Sequence, residues 1–206
     1  MSALADLQPA WTLTGGGALV GCYGSPRTTR DLGLFLNGRA KLGEPARRVV
    51  DRLRGAGFEV TAIQSGSSLE RLEVRSAGES TLVDLVAEPV AQIEAATQRE
   101  VSGVRFQVDT EHEILVNKLC ALLQRSEPRD LLDVQVLLER GGDLERALRD
   151  APRKDGGFSR ITLAWQLQSL ALKDPLRAEG RDDLDFARLD SFRVELAKSL
   201  SRDAKP

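Results

Sequence analysis

Trp11-Thr12-Leu13-Thr14-Gly15-Gly16-Gly17-Ala18-Leu19-Val20 and, ten residues further on, Asp31-Leu32-Gly33-Leu34-Phe35-Leu36 are the stretches whose reading decides the fold. Residues 11–14 read as a short strand. They run through three glycines into an apolar segment that opens a helix, with Thr14 near its N-cap. Residues 31–36 read as a second strand, which begins on a carboxylate. A strand, a glycine turn and a helix bring a helix N-terminus to the end of a strand, where backbone amides attract anions.

Working outward, Glu44–Arg54 reads as a helix. Pro45 lies in its first turn, Val49, Val50 and Leu53 share one face, and Gly55 and Gly57 mark its end. Three strand-like runs follow: Phe58–Ile63, Leu69–Arg75 and Thr81–Ala87. The last two are joined by Ser76-Ala77-Gly78-Glu79, a hairpin turn. A helix is expected to begin near Pro89. Val104, Phe106 and Val108 alternate with Arg105 and Gln107, the period of a half-buried strand.

The pattern then changes. Thr110-Glu111-His112-Glu113 has the form of a capping box and predicts a helix from Glu111, with Ile114, Leu115, Leu119, Leu122 and Leu123 on its apolar face. A second helix is expected over about Glu127–Arg140, stopped by Gly141-Gly142. The remainder reads as helical, with loops near Arg153–Gly157 and Pro175–Arg181. Strands first and helices later predict an α+β class. The expected division is a core over residues 1–108 and a helical C-terminal region over residues 109–206.

The bulk composition narrows the function. The 206 residues carry 29 Lys and Arg against 31 Asp and Glu, so net charge does not drive nucleic-acid binding and any such partner needs a local basic patch. One histidine, His112, cannot build a multi-histidine metal site. Cys22 and Cys120 are too few for a disulfide framework; they read as two small buried thiols, suited to a reducing cytoplasm. Residues 1–9 lack the pattern of a signal peptide, and no apolar run approaches a membrane span, so a cytoplasmic protein with no membrane association is expected.

Five places could carry chemistry. Gly15-Gly16-Gly17 could approach a phosphate or simply make a turn; it lacks the Gly-Lys-Ser/Thr of a P-loop. Arg27-x-Thr29-x-Asp31-x-Gly33 leads into a strand, where residues 31 and 33 share a face. Two carboxylates there would converge on a cation, but only Asp31 is present. Asp84 lies within the apolar run Leu82-Val83-Asp84-Leu85-Val86, where a carboxylate is costly unless it is paired or binds a metal. Lys118 falls on the inward arc of its helix, either to snorkel out or to meet an anion such as phosphate. Asp130 and Asp133, in Arg125-x-x-x-Arg129-Asp130-x-x-Asp133, are neighbours on one helix face and read equally as a solvated acidic stripe.

The order of these motifs resembles the AbiEii/AbiGii-type nucleotidyltransferase-like family, whose known members include toxins of abortive-infection toxin–antitoxin systems. The matching stretches span about Leu13 to Glu139. The resemblance implies a nucleotidyltransferase fold of the DNA polymerase β superfamily: a mixed sheet flanked by helices, followed by a helical region. It further implies transfer of a nucleotidyl group from a nucleoside triphosphate, with Mg²⁺ or Mn²⁺, to a hydroxyl of RNA, tRNA or a protein, and an antitoxin partner. Carried over by motif, Gly15, Gly16 and Gly17 would cradle the triphosphate, and Arg27 and Thr29 match the lead-in to the metal motif. Asp31 and Asp84 would be metal ligands. Lys118 would contact phosphate or base, and Asp130 would be a late acidic residue of the site, with Asp133 beside it.

The chain departs from that pattern at one position: the family has Asp-x-Asp where this sequence has Asp31-Leu32-Gly33. Two-metal chemistry needs carboxylates to hold both ions, and glycine supplies no ligand. Glu70 or Glu73 on a neighbouring strand are the candidates to reach in. An active transferase, a catalytically impaired nucleotide-binding relative acting through a protein partner, and a small-molecule transferase are therefore all open. For the last, the acidic run Asp182-Asp183-Leu184-Asp185 would attract a cationic substrate. For the first, the basic run from Arg39 to Arg54 could contact nucleic-acid phosphates, or be a solvated helix face.

Overall fold

The computed structural model describes residues 2–4, 6–8, 10–25, 28–29, 31–101, 103–172 and 183–202. Arg27, Asp182 and the loop expected near Pro175–Arg181 lie outside them. The chain divides into two compact units, residues 1–110 and 111–206.

The first unit contains β1 (Thr12–Thr14), α1 (Gly15–Tyr23), β2 (Asp31–Asn37), α2 (Gly43–Gly55), β3 (Glu59–Ser65), β4 (Leu69–Ser76), β5 (Glu79–Glu88), β6 (Thr97–Val101) and β7 (Val104–Val108). The strands form one mixed sheet in the order β3-β4-β5-β2-β1-β7-β6. β2 runs parallel to β5 and β1 parallel to β7, while the other neighbours are antiparallel.

Strand alternation sorts the side chains between two faces. Leu34, Leu36, Leu72, Val83 and Leu85 are buried on one of them. Helix α2 packs there through buried Ala46, Val49 and Leu53; full burial of one such leucine is worth about 1.5–3 kcal/mol. Helix α1 approaches the same face, since a Cβ at Gly17 would lie 3.1 Å from the Leu32 side chain and 3.3 Å from that of Leu13. The opposite face carries Asp31, Gly33, Arg71 and Asp84, each only partly buried.

The hairpin between β4 and β5 turns on Ala77 (φ 50°) and Gly78 (φ 84°), the two positive φ angles of a I′-type turn. The helix expected near Pro89 does not form. Residues 89–96 are irregular, Val90 N–H donates to Glu88 Oε1 at 2.8 Å, and the chain goes directly into the β6–β7 hairpin. Residue 88 ends a strand, and the residue before a proline is biased toward extended backbone. Strand β6, Thr-Gln-Arg-Glu-Val, lies at the sheet edge, and its polar composition hides it from a hydrophobicity pattern.

The second unit is helical: α3 (Glu111–Arg125), α4 (Pro128–Glu139), α5 (Leu144–Lys154), α6 (Arg160–Ser169) and α7 (Asp183–Arg202). Helix α3 starts at Glu111, as the sequence predicts. Its Glu113 is fully buried and pairs with Lys154 at 2.7 Å, and Thr110 Oγ1 donates to Glu94 Oε2 at 2.5 Å. The buried Val116 joins the apolar set read from the sequence, whereas Leu123 is only partly buried. Of the two thiols, Cys120 is buried and Cys22 is not fully so. Burial pushes the Cys120 thiol up to about 12, with Asp155 reinforcing the shift.

Candidate functional site

The register of the sheet builds one row across four strands. Thr14 of β1 pairs with Gly33 of β2, Gly33 with Asp84 of β5, and Asp84 with Arg71 of β4. Paired residues on adjacent strands face the same side, so this row and the next one, Asp31–Leu82–Glu73, lie on the sheet face opposite α2. Asp31 and Asp84 are thus diagonal neighbours on one face. The row ends at Thr14, immediately before α1, which brings that helix's N-terminus to the edge of the same site.

Both carboxylates of these rows are held. Thr29 Oγ1 donates to Asp31 Oδ1 at 2.6 Å and to the Asp31 carbonyl at 3.2 Å, which fixes the carboxylate at the strand's start. Arg71 forks Asp84: Nε to Oδ1 at 2.7 Å and Nη2 to Oδ2 at 2.7 Å. Such bidentate pairs are the strong, orienting form of the charge-assisted hydrogen bond. The Asp84 hydrogen bonds and charge raise the Arg71 guanidinium above its ordinary value against the effect of burial, and Asp31 adds to the rise. The strand carboxylate flagged by the sequence, partly buried, therefore has its arginine partner.

The three glycines divide by cause. Gly15 has φ 59°, a conformation that suits glycine, and Gly17 permits the close contact with Leu32 and Leu13. Thr14 occupies the N-cap position without a side-chain capping bond. Gly33 differs from both. A Cβ there would meet Thr14 and Phe35 at 3.6–3.9 Å, ordinary contact distances, so neither space nor backbone demands glycine at this position.

The two glutamates considered as substitutes part company. Glu73 shares the face of Asp84 but accepts from Arg75 Nη2 at 2.9 Å. Glu70 points to the other face. There it lines a cleft of about 350 Å³ with Arg47, Asp51 and Arg54, so it cannot replace a carboxylate at position 33.

A second charged cluster sits within the helical unit. Lys118 Nζ lies 2.7 Å from Asp130 Oδ1 and 2.7 Å from Asp133 Oδ2. Arg125 forks Asp130 through Nε at 2.7 Å and Nη2 at 2.9 Å. Both carboxylates are fully buried, which corrects the solvated-stripe reading: charged residues at i and i+3 can share a helix face that turns inward when cations meet them there. Lys118 neither snorkels to solvent nor awaits a ligand with all its donors, since two of its three N–H groups face these acids. Burial raises the Asp130 carboxyl, but the Arg125 and Lys118 bonds outweigh it and hold it below the usual range. His112, in the same unit, bonds through Nε2 to Asp150 at 2.9 Å and is mostly buried.

A mixed sheet flanked by helices, with an Asp-bearing strand start beside a glycine-led helix, defines the nucleotidyltransferase class of fold. The chain belongs to the AbiEii family, described as the nucleotidyl transferase AbiEii toxin of a type IV toxin–antitoxin system, whose model matches residues 1–202. No curated protein matches the sequence. Among solved structures, a Helicobacter pylori protein described as a nucleotidyltransferase is 21% identical, with 100% of this chain and 93% of that chain covered at a TM-score of 0.58. JHP933 from Helicobacter pylori is also 21% identical, covering 98% and 89% at a TM-score of 0.52. MenT4, a nucleotidyltransferase toxin from Mycobacterium tuberculosis H37Rv, is 15% identical, covering 93% and 75% at a TM-score of 0.58. Among the described residues no helix is long and apolar enough to cross a membrane.

The family implies a divalent cation, and the donor set tests that. Among the described residues no three His, Cys, Asp or Glu side chains gather as a metal-holding group. Asp31 and Asp84 share a face, but both oxygens of Asp84 are engaged by Arg71, and position 33 offers nothing. This set does not fit a pair of ions.

Proposed function

We propose that the chain binds a nucleoside triphosphate at the Asp31–Gly33–Asp84 face and passes its nucleotidyl group to a hydroxyl acceptor, RNA, tRNA or a protein, as a toxin restrained by an antitoxin. Supporting this is the row Thr14–Gly33–Asp84 with Asp31 in the row beside it, which puts the N-terminus of α1 and two carboxylates on one partly exposed face. In the transfer, the acceptor oxygen bonds to the α-phosphorus, the α–β phosphate bridge breaks, and pyrophosphate leaves. Asp31, oriented by Thr29, accepts the hydroxyl proton. The first-turn amides of α1, with Gly15, Gly16 and Gly17, meet the phosphates, and Arg27 belongs to the same lead-in. The family resemblance also assigns Lys118, held between Asp130 and Asp133, to phosphate or base. Catalysis on this scheme is positioning and charge stabilisation.

Gly33 lowers the rate by removing one carboxylate. A second reading, a nucleotide-binding relative that works through a protein partner without turnover, is favoured by the Asp84–Arg71 fork, which occupies a residue the reaction would use. Incubation with each α-³²P-labelled nucleoside triphosphate, total RNA and protein separates the two. Label incorporated by the wild type and lost in Asp84→Ala supports transfer; nucleotide retention without incorporation supports the second reading.

A further inference from the structure

The geometry points to Arg71 as a built-in cation of this site, a direct ligand for the nucleotide's phosphates that makes binding independent of divalent metal. The inference rests on the proposed nucleotide site and adds how its charge is balanced.

Three observations carry it. Gly33, Asp84 and Arg71 stand side by side on three neighbouring strands, so the guanidinium lies across Asp84 from the position where the family has its second carboxylate. Arg71 spends Nε and Nη2 on Asp84 and makes no other bond among the described residues, which leaves Nη1 with its two N–H donors. Its side chain is 39% exposed while that of Asp84 is 17% exposed, so the open part of the pair is the cation. A guanidinium anchored by one carboxylate and presenting its remaining edge is preorganised for a phosphate oxygen. The fork also neutralises Asp84, so a polyanion meets less repulsion on a face that holds Asp31 as well. A glycine at 33 and a fixed cation at 71 act in the same direction. The glycine weakens the claim on metal ions, and the arginine supplies a fixed positive charge on the same sheet face.

Equilibrium dialysis of labelled ATP, GTP, CTP and UTP against the full chain, in Mg²⁺ and in EDTA, tests this. The expected result is that at least one nucleotide binds the wild type with less than about threefold change between the two conditions, a difference well under one decade of affinity. Arg71→Gln should weaken binding in EDTA by about tenfold or more, the scale of one charge-assisted contact. Arg71→Lys keeps a charge beside Asp84 but loses the anchored fork, so it should melt like the wild type yet still bind more weakly in EDTA. Gly33→Asp should acquire Mg²⁺-dependent binding and a Mn²⁺ signal in electron paramagnetic resonance that the wild type lacks. Wild-type binding that appears only with Mg²⁺ overturns the inference and leaves the nucleotide site standing. EDTA binding unchanged in both Arg71 variants also overturns it. No binding of any nucleotide in either condition overturns the site itself.

Discussion

The two arginine-forked aspartates of this protein make an instructive pair. Asp84 sits on a partly exposed sheet face with Arg71, and Asp130 sits inside the helical unit with Arg125 and Lys118. The chemistry is the same, a carboxylate held bidentately at 2.7–2.9 Å. The surroundings differ: the Asp84 pair remains partly in water, while Asp130 is fully buried. An ion pair in water contributes little to stability and stays available to a ligand. A buried one must be satisfied from within, and removing a partner strands a charge. The first arrangement suits a binding site, and the second suits a structural clasp that also orients Lys118.

That contrast can be broken at its strongest point first. Asp130→Ala leaves Lys118 and Arg125 without their shared carboxylate and should destabilise the protein by about 3–5 kcal/mol, read from urea unfolding. Arg71→Ala should cost only about 1 kcal/mol by the same measurement; a comparable loss in both variants would erase the distinction.

Acid sharpens the same comparison. The Asp130 carboxyl lies below its ordinary 3.8 in the folded state, so its contribution is present above about pH 4 and fades as pH falls through the lower folded value. The melting temperature of the wild type should therefore fall steeply below pH 4. Asp130→Asn, which has already lost that contribution, should decline less steeply over the same range.

A smaller effect is expected away from both clusters. Ala77 holds φ 50° in the β4–β5 turn, where a side chain is strained and Asn or Gly is preferred. Ala77→Asn should raise stability by about 0.5–1 kcal/mol and leave nucleotide binding unchanged. Smaller still, Cys120 should stay unmodified by a thiol reagent at pH 8 while the protein is folded, since burial holds its thiol up to about 12. Mass spectrometry of the labelled protein checks this directly.

Much of this organisation is legible in the sequence because it rests on local rules. The glycine-led α1, the strand starting at Asp31, the β4–β5 hairpin and the start of α3 each follow from turn, cap or period signals. What the sequence hides is pairing at a distance. Asp84 stands out as a carboxylate in an apolar strand, but only the β4–β5 register reveals Arg71 opposite it. Lys118 and Asp130 are each visible, yet a helical wheel cannot show that three residues from α3 and α4 close on one another. Glu70 and Glu73 look alike in sequence until the sheet assigns them to opposite faces. Strand β6 escapes because an edge strand needs no apolar period, and the helix expected at Pro89 yields to the strand that ends there.

The most direct test of the sheet-face site is the rate of label transfer from an α-³²P-labelled nucleoside triphosphate by Gly33→Asp relative to the wild type. A Cβ at 33 fits without clash, and the restored carboxylate would stand opposite Asp84. The account predicts at least about tenfold faster incorporation by the variant, since one carboxylate's worth of positioning and charge is returned to the site. A variant that folds and binds nucleotide but transfers no faster than the wild type would contradict it.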